Sequence, residues 1–201
     1  MELFISKLIS GSITSFSVFI FLLIIWYIFG RKNKRFVDWI GIKGFENKNN
    51  IYFWILFATI VFILMGRLVT YIVKDVETAI SIFRGLKFVA IPSIFIYATI
   101  CTAIPEELMF RGFVLKRLNN KFNFIVANII QSIIFGSIHG LAFVSIIGVF
   151  KAIILFVFTG LIAFIMGYIN EKKAEGSILP SVIIHSFVNI FAGICSAWIL
   201  F

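Results

Sequence analysis

Apolar runs about as long as a bilayer is thick dominate this chain, near 9–29, 51–73, 86–104, 122–139, 145–169 and 178–200. About twenty helical residues at 1.5 Å each cross the roughly 30 Å hydrocarbon core, whereas a spanning β-strand needs only about ten alternating ones. The runs are continuous and carry no amphipathic stripe, so they do not describe a water-soluble bundle. With 61% hydrophobic and 13% charged residues, against about 25% charged in ordinary globular chains, the composition agrees. The expected fold is all-α: a polytopic transmembrane helical bundle of about six to eight membrane helices, including a re-entrant or broken segment.

The first run is too long for a signal-peptide core and lacks a small-x-small cleavage site. The bases at 31–35 follow it as a stop-transfer signal would, so it is read as the first span. A net charge of +9 is no nucleic-acid signal here, because the bases sit in loops beside apolar runs. Eleven Lys and Arg residues, within 31–48, 116–121 and 172–173, fall on one side. Five fall on the other: Lys7, Lys74, Arg84, Lys87 and Lys151. The first side is expected to be cytoplasmic, in a multi-pass protein of a cell membrane. No repeat or linker marks a separate soluble domain. N-terminal helices with their basic loop are expected over 1–84 and a catalytic core over 85–201, together one integral-membrane unit.

One stretch, 105–112, breaks the apolar pattern with Glu106, Glu107 and Arg111. At about 2.5–3.5 kcal/mol each in mid-membrane, these charges forfeit roughly 7–10 kcal/mol unless partners or water compensate. Glu107 and Arg111 are four apart and can pair on one helix face; Glu106, turned about 100° away, points elsewhere. Whether 106–118 re-enters the membrane or continues the third span past Pro105 is open from the residues alone.

Both histidines of the chain, His139 and His185, lie at membrane depth. His185 and Asn189 are one turn apart with Ser181 extending the row, and Phe135 and His139 are likewise one turn apart, with Gln131 and Asn128 on a similar face. The cheapest arrangement brings these polar stripes to one wet cavity. Two carboxylates, an arginine, two imidazoles and an amide are a hydrolase's inventory: a base for water, groups that position it, and donors for an oxyanion. Cys101 and Cys195 have no CxxC spacing and read as small apolar residues, and no G-x-S-x-G turn surrounds Ser137 or Ser181.

Glu106-Glu107-x-x-x-Arg111, Phe135-x-x-x-His139 and His185-x-x-x-Asn189, in that order, resemble the motifs of the CAAX-prenyl protease and bacteriocin-processing (Abi) family of intramembrane proteases, over about residues 85–195. The resemblance implies that Glu106 is the catalytic carboxylate, that Glu107 and Arg111 support it, and that His139 helps activate water. His185 and Asn189 would stabilise the oxyanion, with Phe135 a wall of the site. It further implies a membrane-associated peptide or protein substrate, reached from the cytoplasmic side. Zinc or another divalent metal on Glu106, His139 and His185 is the alternative to a metal-free site, although no His-Glu-x-x-His helix is present. Richness in Ile, Phe, Lys and Asn suits an AT-rich bacterial genome and favours peptide over prenylated substrates. The competing readings are a membrane transporter or channel, against which no inverted repeat is found, and a non-catalytic immunity or receptor protein of the same family.

Overall fold

The computed structural model describes residues 2–46, 48, 50–72 and 76–200, with Ile72 described by its backbone alone. Lys74, counted above for orientation, lies outside the described residues. Among those residues there is no strand, and five helices are long and apolar enough to cross a membrane. The protein is a polytopic helical membrane bundle. Helix α1 spans Glu2–Phe29, the short α2 spans Phe36–Ile40, α3 spans Ile51–Ile72 and α4 spans Lys87–Asn119.

The next helical stretch, Phe124–Lys173, has 50 residues and would reach about 75 Å if straight, more than twice the membrane core. It folds in two at Gly148, whose φ of 77° and ψ of 161° suit glycine. Two antiparallel arms result, α5 (124–147) and α6 (149–173), followed by α7, Leu179–Ala197. Across the hairpin Asn128 Nδ2 donates to the Phe164 carbonyl at 2.9 Å and Gln131 Nε2 to the Ala163 carbonyl at 3.1 Å. The arms touch so closely at Gly136 that a Cβ there would lie 2.5 Å from the Phe156 carbonyl oxygen. The six expected apolar runs are thus six helical arms.

Helix α4 runs through Pro105 without re-entry, so the segment after Pro105 is a continuation of the third span. Proline lacks an N–H and crowds the carbonyl four residues back, which disrupts a regular α-ladder. Here Ile104–Glu107 is bracketed by π-type turns at Tyr97–Ala103 and Leu108–Leu115. The widened turns relieve the crowding and set the two glutamates between two irregular stretches of backbone.

Three apolar clusters hold the arms together. Phe62 of α3 packs with Met166 of α6 and Ile184 of α7, while Ile94 of α4 packs with Phe83 and Ile190. Leu22 of α1 joins Trp39, Leu108 and Ile178 at the other end. Helix α1 leans on α4, where Ser15 Oγ donates to the Ile100 carbonyl at 2.5 Å and Cys101 Sγ to the Lys7 carbonyl at 3.3 Å. Both cysteines are free thiols. Outward-facing Phe16, Leu64, Ile133 and Phe150 form the apolar exterior that a bilayer covers.

Lys116 and Arg117, at the end of α4, are held there by polar and aromatic contacts. Lys116 Nζ is 2.8 Å from Glu171 Oε1 and donates to the Gly176 carbonyl at 2.8 Å, and the Arg117 guanidinium lies 3.9 Å from the Trp39 ring centre. Ser177 Oγ donates to the Lys43 carbonyl at 2.6 Å and Arg117 Nη2 to the Trp39 carbonyl at 3.0 Å, so residues 39–43 are fastened to the end of α4 and the turn after α6. The start of α1, Phe83 and the end of α7 meet at the opposite end.

Candidate active site

Glu107 and Arg111 face the bundle interior from successive turns of α4, and both side chains are wholly buried. Arg111 Nη1 donates to Glu107 Oε1 at 2.8 Å. Burying either charge alone would be costly; together they offset most of each other's desolvation. The same carboxylate oxygen lies 2.9 Å from His185 Nδ1 on α7. A carboxylate only accepts, so Nδ1 carries the hydrogen and Nε2 points away from Glu107. It points toward Glu106: Nε2 is 3.9 Å from Glu106 Oε2, an oxygen that is buried and bonded to no protein donor. Arg111, Glu107, His185 and Glu106 therefore form one row joining α4 to α7.

The hairpin supplies the facing wall. Phe135 of α5 lies under Arg111, whose guanidinium is 4.6 Å from the ring centre, and meets Phe110 edge-on at 4.9 Å. A ring face is a suitable neighbour for a cation that lacks water. Phe135 also overlaps the His139 ring, with centres 4.4 Å apart and planes at 31°. His139 Nδ1 lies 2.9 Å from the Phe135 carbonyl, which only accepts, so in the neutral ring Nε2 is the nitrogen with a free lone pair. Each imidazole is thus fixed in orientation through Nδ1, leaving Nε2 for chemistry.

Phe135, His139, His185 and Asn189 line one cavity of about 260 Å³ between α3, the hairpin and α7. Asn189 Nδ2 donates one hydrogen to Thr102 Oγ1 at 2.9 Å and has a second to offer. Thr102 in turn donates to the Ala98 carbonyl at 2.9 Å, which fixes the amide against α4.

The polar stripes converge only in part. Asn128 and Gln131, expected on the His139 face, are fully buried in the hairpin seam, where their amides satisfy carbonyls of the partner arm. Ser181 is also off the cavity: its hydroxyl accepts from Asn170 Nδ2 at 2.7 Å and donates to the Ile178 carbonyl at 2.9 Å. Sequence reasoning passed over Thr102, although it stands four residues before Glu106 and the i,i+4 spacing was there to be read. Asn170 carried no such signal, because a tight turn between α6 and α7 creates its pairing with Ser181. Among the described residues no three His, Cys, Asp or Glu side chains are grouped to serve together as metal ligands. Glu106, His139 and His185 are not grouped in this way.

Fold and site together define a polytopic helical membrane protein in which Glu106 and Glu107 of α4 meet His185 of α7, and His139 lines the cavity that His185 and Asn189 also line. Residues 88–191, more than half the chain, match the family model for type II CAAX prenyl endopeptidases, Rce1-like. The chain belongs to this family of intramembrane endopeptidases. No curated protein and no solved structure matches it.

Proposed function

We propose that the chain cleaves a peptide bond of a membrane-associated peptide or protein with water activated by Glu106. The observation that carries this reading is the 3.9 Å separation of Glu106 Oε2 and His185 Nε2. Two hydrogen bonds of about 2.8 Å reach one water oxygen across that gap when they open to about 90°. Glu106 takes a proton from this water, and the hydroxide adds to the scissile carbonyl carbon. The oxyanion that forms accepts from the remaining Nδ2–H of Asn189 and from Nε2–H of His185 as imidazolium, whose charge the oxyanion itself balances while Glu107 stays paired with Arg111. Collapse of the tetrahedral intermediate breaks the C–N bond, and the proton held by Glu106 passes to the departing amine. His139, with Nε2 open to the same cavity, holds the water or the carbonyl from the facing wall. Arg111 and Glu107 are positioning residues that set the His185 ring.

Substrate identity follows from an accumulation experiment. Membrane peptides from cells carrying Glu106→Gln are compared by mass spectrometry with those from cells carrying the natural chain. Peptides that accumulate in the variant, and that the purified natural chain cleaves, support the reading. Identical peptide pools together with an inert purified protein oppose it.

A further inference from the structure

At the end of the bundle that carries Lys116 and Arg117, a row of aromatic rings crosses three helices. Tyr168, near the end of α6, has its ring centre 6.3 Å from that of Phe124 at the start of α5 and 6.5 Å from that of Trp54 near the start of α3. A groove opens on each side of Tyr168. One, of about 300 Å³ between α3 and α6, runs from Trp54 and Tyr168 past Ala58 and Phe164 to Phe62, with aromatic and aliphatic walls throughout. The other is more open and is walled by Phe124, Val126, Tyr168 and Lys172. Trp54 to Phe62 spans about 12 Å of helix, most of the roughly 15 Å that one leaflet gives to the hydrocarbon core. Phe62 also lines the catalytic cavity, so its ring separates the α3–α6 groove from the reacting atoms. Above the row, Lys172 and Lys173 diverge: Lys172 Nζ is 4.6 Å from the Phe124 ring centre, and Lys173 Nζ is 5.1 Å from that of Trp54 and 5.9 Å from that of Tyr168. The acids beside them are engaged elsewhere, Glu171 with Lys116 at 2.8 Å and Glu175 with Lys48 at 3.8 Å. Among the described residues no carboxylate pairs with Lys172 or Lys173.

We propose that this face seats one anionic phospholipid, with its phosphate between Lys172 and Lys173 and its two acyl chains in the grooves that flank Tyr168. The match of parts argues for this occupant. A diacyl lipid carries one anionic group above two apolar tails, and the protein offers two ammoniums above two grooves that share one wall. Lysine suits the phosphate because its ammonium is a compact charge with three donors. Basic pockets between spans hold anionic headgroups for the same reason. Aromatic rings settle at headgroup depth, and those beneath the two ammoniums keep them there. A zwitterionic choline lipid would bring a further cation to two lysines that have no counter-charge. An apolar helix from a second copy would bury both ammoniums unpaired, which is costlier still. The seat is independent of the peptidase reading, since none of its residues takes part in the proposed steps.

The full chain in detergent is mixed with equimolar phosphatidylglycerol and phosphatidylcholine of the same acyl chains, and the lipids it retains are read by native mass spectrometry. One phosphatidylglycerol should stay on each chain, about tenfold or more over the choline lipid, since each basic residue near an anionic headgroup is worth about fivefold. Lys172→Gln with Lys173→Gln should abolish the preference, and the two Arg replacements should keep it. Lys32→Gln with Lys34→Gln, on the loop after α1, should leave it unchanged. Val61→Trp, which fills the α3–α6 groove, should lower retention of both lipids. On the natural chain, lysophosphatidylglycerol, with one acyl chain, should be held less well than the diacyl lipid, and glycerol phosphate, with none, should not be held at all. Equal retention of the two diacyl lipids, a preference that survives the double Gln substitution, or a lysolipid held as well as the diacyl lipid overturns the inference. Undiminished retention by a Val61→Trp protein with an unchanged unfolding temperature does the same. So does a lipid-free dimer of the natural chain, which would mean that a second copy covers the grooves. The lysolipid comparison needs no variant, so it decides even where Val61→Trp fails to fold.

Discussion

His185 Nδ1 and Arg111 Nη1 meet the same oxygen of Glu107, at 2.9 Å and 2.8 Å. One buried carboxylate oxygen therefore ties the basic group of α4 to the imidazole of α7, and the site depends on the packing of those two helices.

Glu107→Leu leaves the Arg111 cation buried without its counter-charge, a loss expected to cost about 3–5 kcal/mol. Thermal unfolding in detergent should show a large drop. Adding Arg111→Met removes the stranded charge and should recover most of the stability. Cleavage should stay lost in both variants, because His185 is no longer oriented. A double variant as active as the natural chain would show that the row is structural alone.

Thr102→Val takes away the acceptor that fixes Asn189. The amide then turns freely, and the turnover rate should fall, by less than the roughly 10²- to 10³-fold that removing an oxyanion donor outright costs. Unfolding temperature should hardly move, and Thr102→Ser should restore the rate. Steady-state kinetics on the two variants separates positioning from stability.

The hairpin tolerates little at Gly136, where an added Cβ would press on the Phe156 carbonyl, which is backbone and cannot swing aside. Gly136→Ala should cost on the order of 1–3 kcal/mol, the usual range for overpacking. Because Phe135 and His139 sit on the same arm, cleavage should fall along with the unfolding temperature. A variant as stable as the natural chain would contradict the close approach of α5 and α6.

Chelation tests the absence of a three-ligand cluster among the described residues. Cleavage by the purified protein should be the same before and after prolonged treatment with a strong chelator. Loss of activity that zinc restores would show that Glu106, His139 and His185 rearrange around a metal when the enzyme works.

Most of the bundle was legible because lipid leaves the chain few options: an apolar run of about twenty residues has to become a helix. The Glu107–Arg111 pair was legible for the same reason, since i,i+4 spacing fixes neighbours within one helix. Pairing between helices carries no such local rule. Asn128 and Gln131 share a face with His139, yet the close arm contact at Gly136 and Gly140 turns them into the hairpin seam. That contact depends on where Gly148 reverses the chain, three residues inside the run that the sequence began at 145. Thr102 and Asn170 gain their roles from helices that the sequence does not align.

The most direct measurement is the rate of peptide cleavage by the purified chain in liposomes, run in ¹⁸O-labelled water, beside Glu106→Gln. Water activated by Glu106 predicts ¹⁸O in the new carboxylate and a rate about 10²- to 10⁴-fold lower in the variant, the usual contribution of a general base. A Glu106→Gln protein that folds normally and cleaves as fast as the natural chain would contradict the account.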